Sequence, residues 1–205
     1  IKTDDAVTKG ATIVGSRGED TITGSKFADT ITGGEGADTI TANAGADTII
    51  LTESVSAQDN VVFAAVSDSA ASVASDTTVT FDTIKDFVSG TDKINIGAID
   101  TILTGAGAAT GAKVTTFTTG ALSMNDTTIA NFAELVTAAG ALTASAAGGA
   151  IQAYLIDLST NTGALGTGKY LVINDGNDGL QASDLMIEIT GYKGTFDGSD
   201  FTVVA

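Results

Sequence analysis

Four aspartates recur at intervals of nine residues near the start of this 205-residue chain: Asp20, Asp29, Asp38 and Asp47. Each one closes a turn rich in glycine and small residues. Such turns can aim backbone carbonyl oxygens at a common point, to which the aspartate adds a carboxylate. Oxygen ligands of this kind suit a hard cation, and Ca²⁺ accepts their flexible geometry more readily than Mg²⁺ does. The spacing therefore predicts a row of calcium sites.

The elements that must position these aspartates repeat with them. Four contiguous blocks of nine residues span 15–50, and each carries an isoleucine two positions after its aspartate. The alternation Thr-Ile-Thr predicts a very short strand with Ile inward and Thr outward. Asn43 replaces a glycine in the fourth block, and asparagine tolerates a positive φ better than most residues. A fixed short period indicates stacked repeats, none of which can bury its own apolar face.

The pattern GGxGxDxUx, which "GGEGADTIT" (33–41) matches in full, resembles the RTX calcium-binding nonapeptide repeat. The resemblance implies a parallel β-roll with two nonapeptides per coil. It also implies that turns two repeats apart share an ion, which pairs Asp20 with Asp38 and Asp29 with Asp47. A degenerate half-repeat at 6–14 extends the pattern. The alternative is a calcium-free solenoid with its aspartates in solvent, but stacked carboxylates repel unless they are neutralised.

We expect carbonyl and carboxylate ligands from all four turns and from three later aspartates. About two good sites are expected, with the turn that carries Phe27 the weakest. The predicted metal-site residues are Gly15, Arg17, Gly18, Asp20, Gly24, Lys26, Asp29, Gly33, Gly34, Glu35, Gly36, Asp38, Asn43, Ala44, Gly45, Asp47, Asp59, Asp86 and Asp92.

Two segments after the repeats carry further acids. Asp59, followed by Val61 and Phe63, resembles another rung displaced by three residues, and Glu53 and Asp59 would close the last calcium turn; a solvated turn is the alternative.

"DTIKDFVSGTDKINI" (82–96) resembles the segment that closes RTX rolls. The resemblance implies that Ile84, Phe87, Ile94 and Ile96 plug the core while Asp82, Asp86 and Asp92 add a capping calcium. The alternative is a hairpin that turns at Ser89-Gly90, with these acids on its surface.

The remaining segments predict a different architecture. Residues 67–78 are small and polar and predict a loop. Residues 125–140 have the apolar periodicity and the capping residues of a helix. Its apolar face is more typical of a helix packed in the core than of a binding site. Strands are predicted at 150–159, 169–175 and 185–191 in a β-meander. The acidic connection around 175–184 is either a plain turn or a further calcium loop.

The predicted fold class is mainly β: a short parallel β-roll followed by a mostly antiparallel β domain with one packed helix. The expected domains are a calcium-binding roll (1–66), a roll-capping segment (67–100) and a C-terminal β-rich domain (101–205). The ending "DGSDFTVVA" resembles an uncleaved type I secretion signal, and the strand pattern of the last domain resembles bacterial surface-layer proteins.

Composition excludes several function classes. The net charge of −16 disfavours nucleic acid and anionic membranes as partners. Without Cys or His there is no disulfide, thiol nucleophile, zinc-thiolate site or Ser-His-Asp triad. No HExxH or GxSxG motif occurs, and the absence of Trp argues against carboxylate-only glycosidase chemistry. No apolar run is long enough for a transmembrane segment, and the first residues do not lead us to expect an ordinary signal peptide.

The predicted function is non-enzymatic. It is the calcium-dependent structural or assembly region of a secreted, extracellular surface-layer protein, which folds when Ca²⁺ binds after type I secretion and associates with copies of itself in a lattice. The alternative is the RTX module of a secreted protease or lipase, or of a large adhesin. Because the chain begins at Ile1, we expect a fragment or a processed product.

Overall fold

A computed structural model describes residues 9–69, 81–97, 116–118, 152–158, 168–174 and 184–202. Within these ranges the chain forms thirteen strands and two short 3-10 helices (Val66–Ser69 and Gly198–Asp200). The predicted helix at 125–140 and most of the 175–184 connection lie outside the described residues. The strands are β1 Thr12–Val14, β2 Thr21–Thr23, β3 Thr30–Thr32, β4 Thr39–Thr41, β5 Thr48–Ile50, β6 Asn60–Val62, β7 Asp82–Lys85, β8 Lys93–Asn95, β9 Thr116–Thr118, β10 Gln152–Asp157, β11 Lys169–Asn174, β12 Leu185–Thr190 and β13 Phe201–Thr202.

The repeats fold as a parallel β-roll, as predicted. Successive strands alternate between two sheets, so that β1, β3, β5 and β7 lie side by side in one and β2, β4, β6 and β8 in the other. The register places Ile22 opposite Ile40 and Ile31 opposite Ile49, which makes one coil of two nonapeptides. The half-repeat contributes β1, whose Ile13 pairs with Ile31.

The core of the roll is a stack of side chains between the two sheets. Each Thr-Ile-Thr strand (β2, β3 and β4) buries its isoleucine and turns the flanking threonines outward. This follows from the period of two along a strand. The stacked core residues are Ile13, Ile22, Ile31, Ile40, Ile49, Val61, Ile84 and Ile94, none more than 5% exposed.

Residues 82–96 do not form a hairpin, so that alternative is wrong. β7 and β8 lie in opposite sheets: β7 pairs in parallel with β5, and β8 pairs in parallel with β6. This arrangement continues the roll and buries Ile84 and Ile94 in line with the core above them. Phe87 and Ile96, also predicted to plug the core, are fully buried. Phe87 stacks on Phe196, with ring centroids 4.8 Å apart.

The C-terminal strands extend both sheets. β10, β11 and β12 form the predicted antiparallel meander. β12 then pairs in parallel with β7, so the roll and the meander share one eight-stranded sheet, while β13 pairs in parallel with β8 at the edge of the other. Residues 67–69, at the start of the predicted loop, belong instead to the 3-10 helix Val66–Ser69. In the described ranges, no helix has the length and apolar character needed to cross a bilayer.

Candidate metal centre

On one side of the roll, the turns at 15–20 and 33–38 stack backbone against backbone. Gly34 and Gly36 have φ values of 121° and 107°, a region that non-glycine residues rarely adopt. A Cβ atom on Gly34 would overlap the carbonyl oxygen of Ser16, and the Glu35 amide donates to that same oxygen at 3.0 Å. This close stacking places backbone carbonyl groups of the first turn in contact with the backbone of the second turn.

The turns at 24–29 and 42–47 stack in the same way on the other side. A Cβ atom on Gly24 would overlap the carbonyl oxygen of Ala42, and one on Gly45 would lie 2.8 Å from the carbonyl carbon of Phe27. Asn43 has a positive φ of 67°, as its glycine position predicted. Its side-chain amide donates to the carbonyl oxygen of Gly24 at 2.9 Å.

The aspartates form two columns that run the length of the roll. In each column, one carboxylate oxygen (Oδ1) accepts the backbone N–H of the aspartate one coil earlier. Column A consists of Asp20, Asp38, Asp59 and Asp92, linked at 2.8, 2.9 and 3.1 Å. Column B consists of Asp29, Asp47 and Asp82, linked at 2.6 and 2.8 Å. These hydrogen bonds fix the carboxylates of Asp38, Asp47, Asp59, Asp82 and Asp92 in place.

The second carboxylate oxygen, Oδ2, divides six of the seven aspartates into two groups. In Asp20, Asp29 and Asp92 it accepts a backbone N–H from the residue four positions earlier, at 2.6, 2.5 and 2.8 Å. In Asp38, Asp47 and Asp82 it is buried and accepts no hydrogen bond within the described part of the chain. These three side chains are at most 1% exposed. A buried carboxylate oxygen without a donor is costly, which favours a cation at this point.

The sequence of the turns explains this division. The position four residues before the aspartate is serine in the first two turns, and its amide and hydroxyl both bind the carboxylate of Asp20 or Asp29. In the third and fourth turns that position is Gly34 or Asn43, both with positive φ, and no amide reaches the carboxylate oxygen. The turns at 33–38 and 42–47 therefore have the most open ligand positions.

Electrostatics agree with this geometry. Burial raises the pKa of Asp47 and Asp59 to about 7 and that of Asp82 to about 9, and it also raises the pKa of Asp38. By contrast, the hydrogen bonds from Ser16 lower the pKa of Asp20. Buried carboxylates stay ionised at neutral pH only when a positive charge compensates for lost hydration.

Within the described ranges, no three acidic side chains converge closely enough to hold an ion by carboxylates alone. An ion here must also use backbone carbonyls, which the stacked turns supply. The donors are all oxygens, so the residues fit calcium. The predicted carbonyl positions Gly15, Arg17, Gly18, Lys26, Gly33 and Ala44 all lie in these turns.

Two glutamates lock the 51–57 loop over the 33–38 turn. Glu53 accepts the amides of Gly36 and Ala57 at 2.9 and 2.6 Å, so its carboxylate is held by backbone donors. Glu35 accepts the hydroxyl and amide of Ser54, and these hydrogen bonds lower its pKa.

The later acids are divided between the columns and the surface. Asp59 and Asp92 extend column A, and Asp82 extends column B. Asp86 lies outside both columns; it has a positive φ of 64° and accepts a hydrogen bond from Thr52. Sequence reasoning did not identify Asp68, which is buried, or Ser69, whose hydroxyl accepts the Asp82 amide at 2.8 Å. Neither follows the nine-residue spacing, so no periodic signal marks them.

Comparison with known proteins supports the calcium interpretation. Residues 12–50 match the family of RTX calcium-binding nonapeptide repeats, in four copies. The solution structure of the AlgE6R3 subunit of a mannuronan C5-epimerase from Azotobacter vinelandii has a similar fold, with a TM-score of 0.50 and 17% identity. That match covers 97% of this chain and 81% of the epimerase subunit. A comparison with curated protein sequences found no match.

The chain thus contains RTX repeats folded as a calcium-binding β-roll. Repeats of this kind generally occur in secreted, extracellular proteins.

Proposed function

We propose that this chain is a calcium-dependent structural region of a secreted surface-layer protein, in which Ca²⁺ binding drives folding of the roll after export. The observation that carries the proposal is the pair of aspartate columns, with buried Oδ2 atoms of Asp38 and Asp47 that lack donors. Without an ion, the repelling carboxylates and flexible glycines favour an unfolded chain. At the roughly millimolar Ca²⁺ outside cells, weak sites fill and binding energy becomes folding energy.

The first test is the Ca²⁺ concentration at the midpoint of folding, followed by circular dichroism. Asp38→Asn keeps an acceptor for the Asp20 amide but removes the charge, so we expect a midpoint higher by about tenfold, equivalent to about 1.4 kcal/mol. Asp20→Asn should shift it less, because backbone and serine donors already satisfy that carboxylate. Asp197→Asn, outside both columns, is the control. An unchanged midpoint in Asp38→Asn would contradict the proposal.

Assembly is tested separately by sedimentation velocity in EDTA, in millimolar Ca²⁺ and in Mg²⁺. Lateral association would use exposed strand edges or acidic faces bridged by Ca²⁺. An expanded species that becomes a compact monomer in Ca²⁺ supports folding without assembly. Large species formed with Ca²⁺ alone support the lattice. Identical profiles in all three buffers contradict both.

A second candidate is the RTX module of a secreted enzyme, favoured by the similarity of fold to an epimerase subunit. In that case this chain supplies a folding and secretion module, and catalysis belongs to another part of the protein. The two candidates differ in their assembly, because an enzyme module is expected to stay monomeric in Ca²⁺.

A further inference from the structure

The outer face of the eight-stranded sheet is built from β-branched side chains where the sheet forms one side of the roll. Strands β1, β3 and β5 lie side by side in register there. Their outward side chains form two rows, Thr12, Thr30 and Thr48 in one and Val14, Thr32 and Ile50 in the other. These six side chains define the roll face, and none of them carries a charge. Side chains of this shape pack well on a pleated surface.

Acidic residues surround the roll face but do not lie on it. Strands β1 to β6 contain no charged residue, so the carboxylates of the roll lie in its columns and turns. Beyond β5, the next strand adds Lys85 to the outer face, and the first carboxylate there is that of Glu188 in β12, which accepts the Thr83 hydroxyl at 3.1 Å. Two copies of a chain with a net charge of −16 repel each other. The roll face is a surface on which they can approach without placing carboxylates against carboxylates.

Apolar exposure distinguishes this face from the opposite one. Val14 is 62% exposed, and within the described ranges the only other exposed large hydrophobic side chain is Val55, at 74%. Ile50, in the same row as Val14, is partly exposed. In the other sheet, β2 and β4 present only threonines at the corresponding positions. Exposed apolar patches mark interaction surfaces, and a sheet buries such a face by packing on a second sheet.

We propose that the roll face docks on the roll face of a second copy of this chain, sheet against sheet. This inference rests on the proposed surface-layer function and names one contact that its assembly uses. The contact is isologous, because both copies use the same face. Stable complexes use about 20–30 residues a side, so a face of six residues gives a weak contact. Calcium contributes by folding the roll, and repetition in a lattice makes weak contacts effective together.

The test is the association constant in millimolar Ca²⁺, measured by sedimentation velocity over a series of protein concentrations. Val14→Lys and Thr48→Lys each place a charge in the contact and leave both aspartate columns intact. We expect either change to weaken association by about tenfold or more, because a lysine without a partner is costly to bury. Val55→Lys, the same change at the other exposed valine, should not alter the constant. A lysine lowers the net negative charge, so general repulsion cannot explain weaker association.

The Thr48→Lys variant also separates the face of the sheet from its edge. Strand β5 is paired on both sides, whereas β1 is an edge strand among the described residues. If only Val14→Lys weakens association, the copies meet at the edge and the roll face is wrong. If both lysine variants associate as tightly as the unmodified chain, the roll face is wrong as well.

The Ca²⁺ midpoint of folding, measured on the same samples, separates this inference from the function on which it rests. An unmodified chain that folds with Ca²⁺ but stays monomeric at every concentration overturns the contact and leaves the calcium function intact. A chain that Ca²⁺ does not fold contradicts both.

If a lysine variant does not fold, Thr30→Cys decides the matter. Thr30 is exposed at the middle of its row, and the chain has no cysteine of its own, so a spin label attaches at this position alone. Spin–spin coupling between copies in millimolar Ca²⁺ supports the contact, and its absence overturns it.

Discussion

One position in each turn determines whether the following aspartate is satisfied by the protein or left open. Ser16 and Ser25 supply an amide and a hydroxyl to the carboxylate, whereas Gly34 and Asn43 do not. The four repeats are therefore unequal as sites, although their aspartates are spaced identically. Predictions at this scale concern single side chains and the backbone that presents them.

Gly34→Ala should destabilise the calcium-bound protein by about 1–3 kcal/mol. The residue has a φ of 121°, and an added Cβ would overlap the stacked turn beneath it. Gly18→Ala is the matched control in the neighbouring turn, because a Cβ there meets nothing within 4 Å. Urea denaturation in millimolar Ca²⁺ measures both. Equal losses of unfolding free energy in the two variants would contradict the stacking of the turns.

Without calcium, the fold should become less stable as the pH rises. Burial raises the pKa of Asp47 and Asp59 to about 7 and that of Asp82 to about 9, from a usual value of 3.8. Between about pH 4 and pH 9 the folded chain then binds more protons than the unfolded chain. The free energy of unfolding is therefore highest below the unfolded-state pKa and falls as the pH rises through the folded-state pKa values. The acids that face these groups are Asp29, Asp38, Glu53, Asp68 and Asp92.

Circular dichroism in EDTA from pH 5 to pH 8 measures this decline as a fall in the folded fraction of the ion-free chain, which is expected to be largely unfolded at neutral pH. Saturating Ca²⁺ should reverse the trend, because calcium binds the ionised carboxylates. A stability in EDTA that does not change with pH would contradict the burial of these acids.

Elements of three residues are stable here because each is one rung of a continuous stack. Ile49→Ala should lower the unfolding free energy by about 2–5 kcal/mol, since the side chain is fully buried between the sheets. Ile50→Ala is the control in the same strand, because Ile50 lies on the outer face and is partly exposed; we expect a loss of about 1 kcal/mol or less. Calorimetry in Ca²⁺ measures both, and similar losses would contradict the assigned faces of β5.

The sequence predicts elements best where the period is strict. The alternation of Asp, Thr and Ile was sufficient for the strands and the core column, whereas the 18-residue coil was implied by the resemblance to RTX repeats. Asp59 was also recognised as a rung, although it lies 21 residues after its partner Asp38. The hairpin alternative at 82–96 failed because local alternation cannot distinguish pairing with a neighbouring segment from pairing with the previous coil. The parallel pairing of β7 with β5 and of β8 with β6 decides between them.

At the scale of the whole molecule, the roll and the meander share an eight-stranded sheet through β7 and β12. Sequence patterns predicted both parts but not this connection, because 100 or so residues separate the paired strands. The role of Ser69 was hidden for the same reason, since its hydroxyl binds residues far away in the chain.

Salt should not replace calcium in folding the molecule. The chain carries a net charge of −16, and about 1 M NaCl reduces the screening length to about 3 Å. Screening acts on exposed charges, whereas Asp38, Asp47 and Asp82 are buried. We therefore expect the circular dichroism spectrum in EDTA with about 1 M NaCl to be that of an unfolded chain. The spectrum in millimolar Ca²⁺ should be that of the folded protein. Identical spectra would mean that calcium acts only as a screening ion.

Successive rungs of the columns are separated by 18, 21, 33 and 35 residues, yet the hydrogen bonds that join them are alike. Each coil must place an aspartate at the next position of its column, whatever the number of residues between successive aspartates. The exposed tip at 54–56 is one place where that length already varies. The roll is accordingly suited to carry foreign peptides as inserts there, each displayed at a fixed position along the stack of coils.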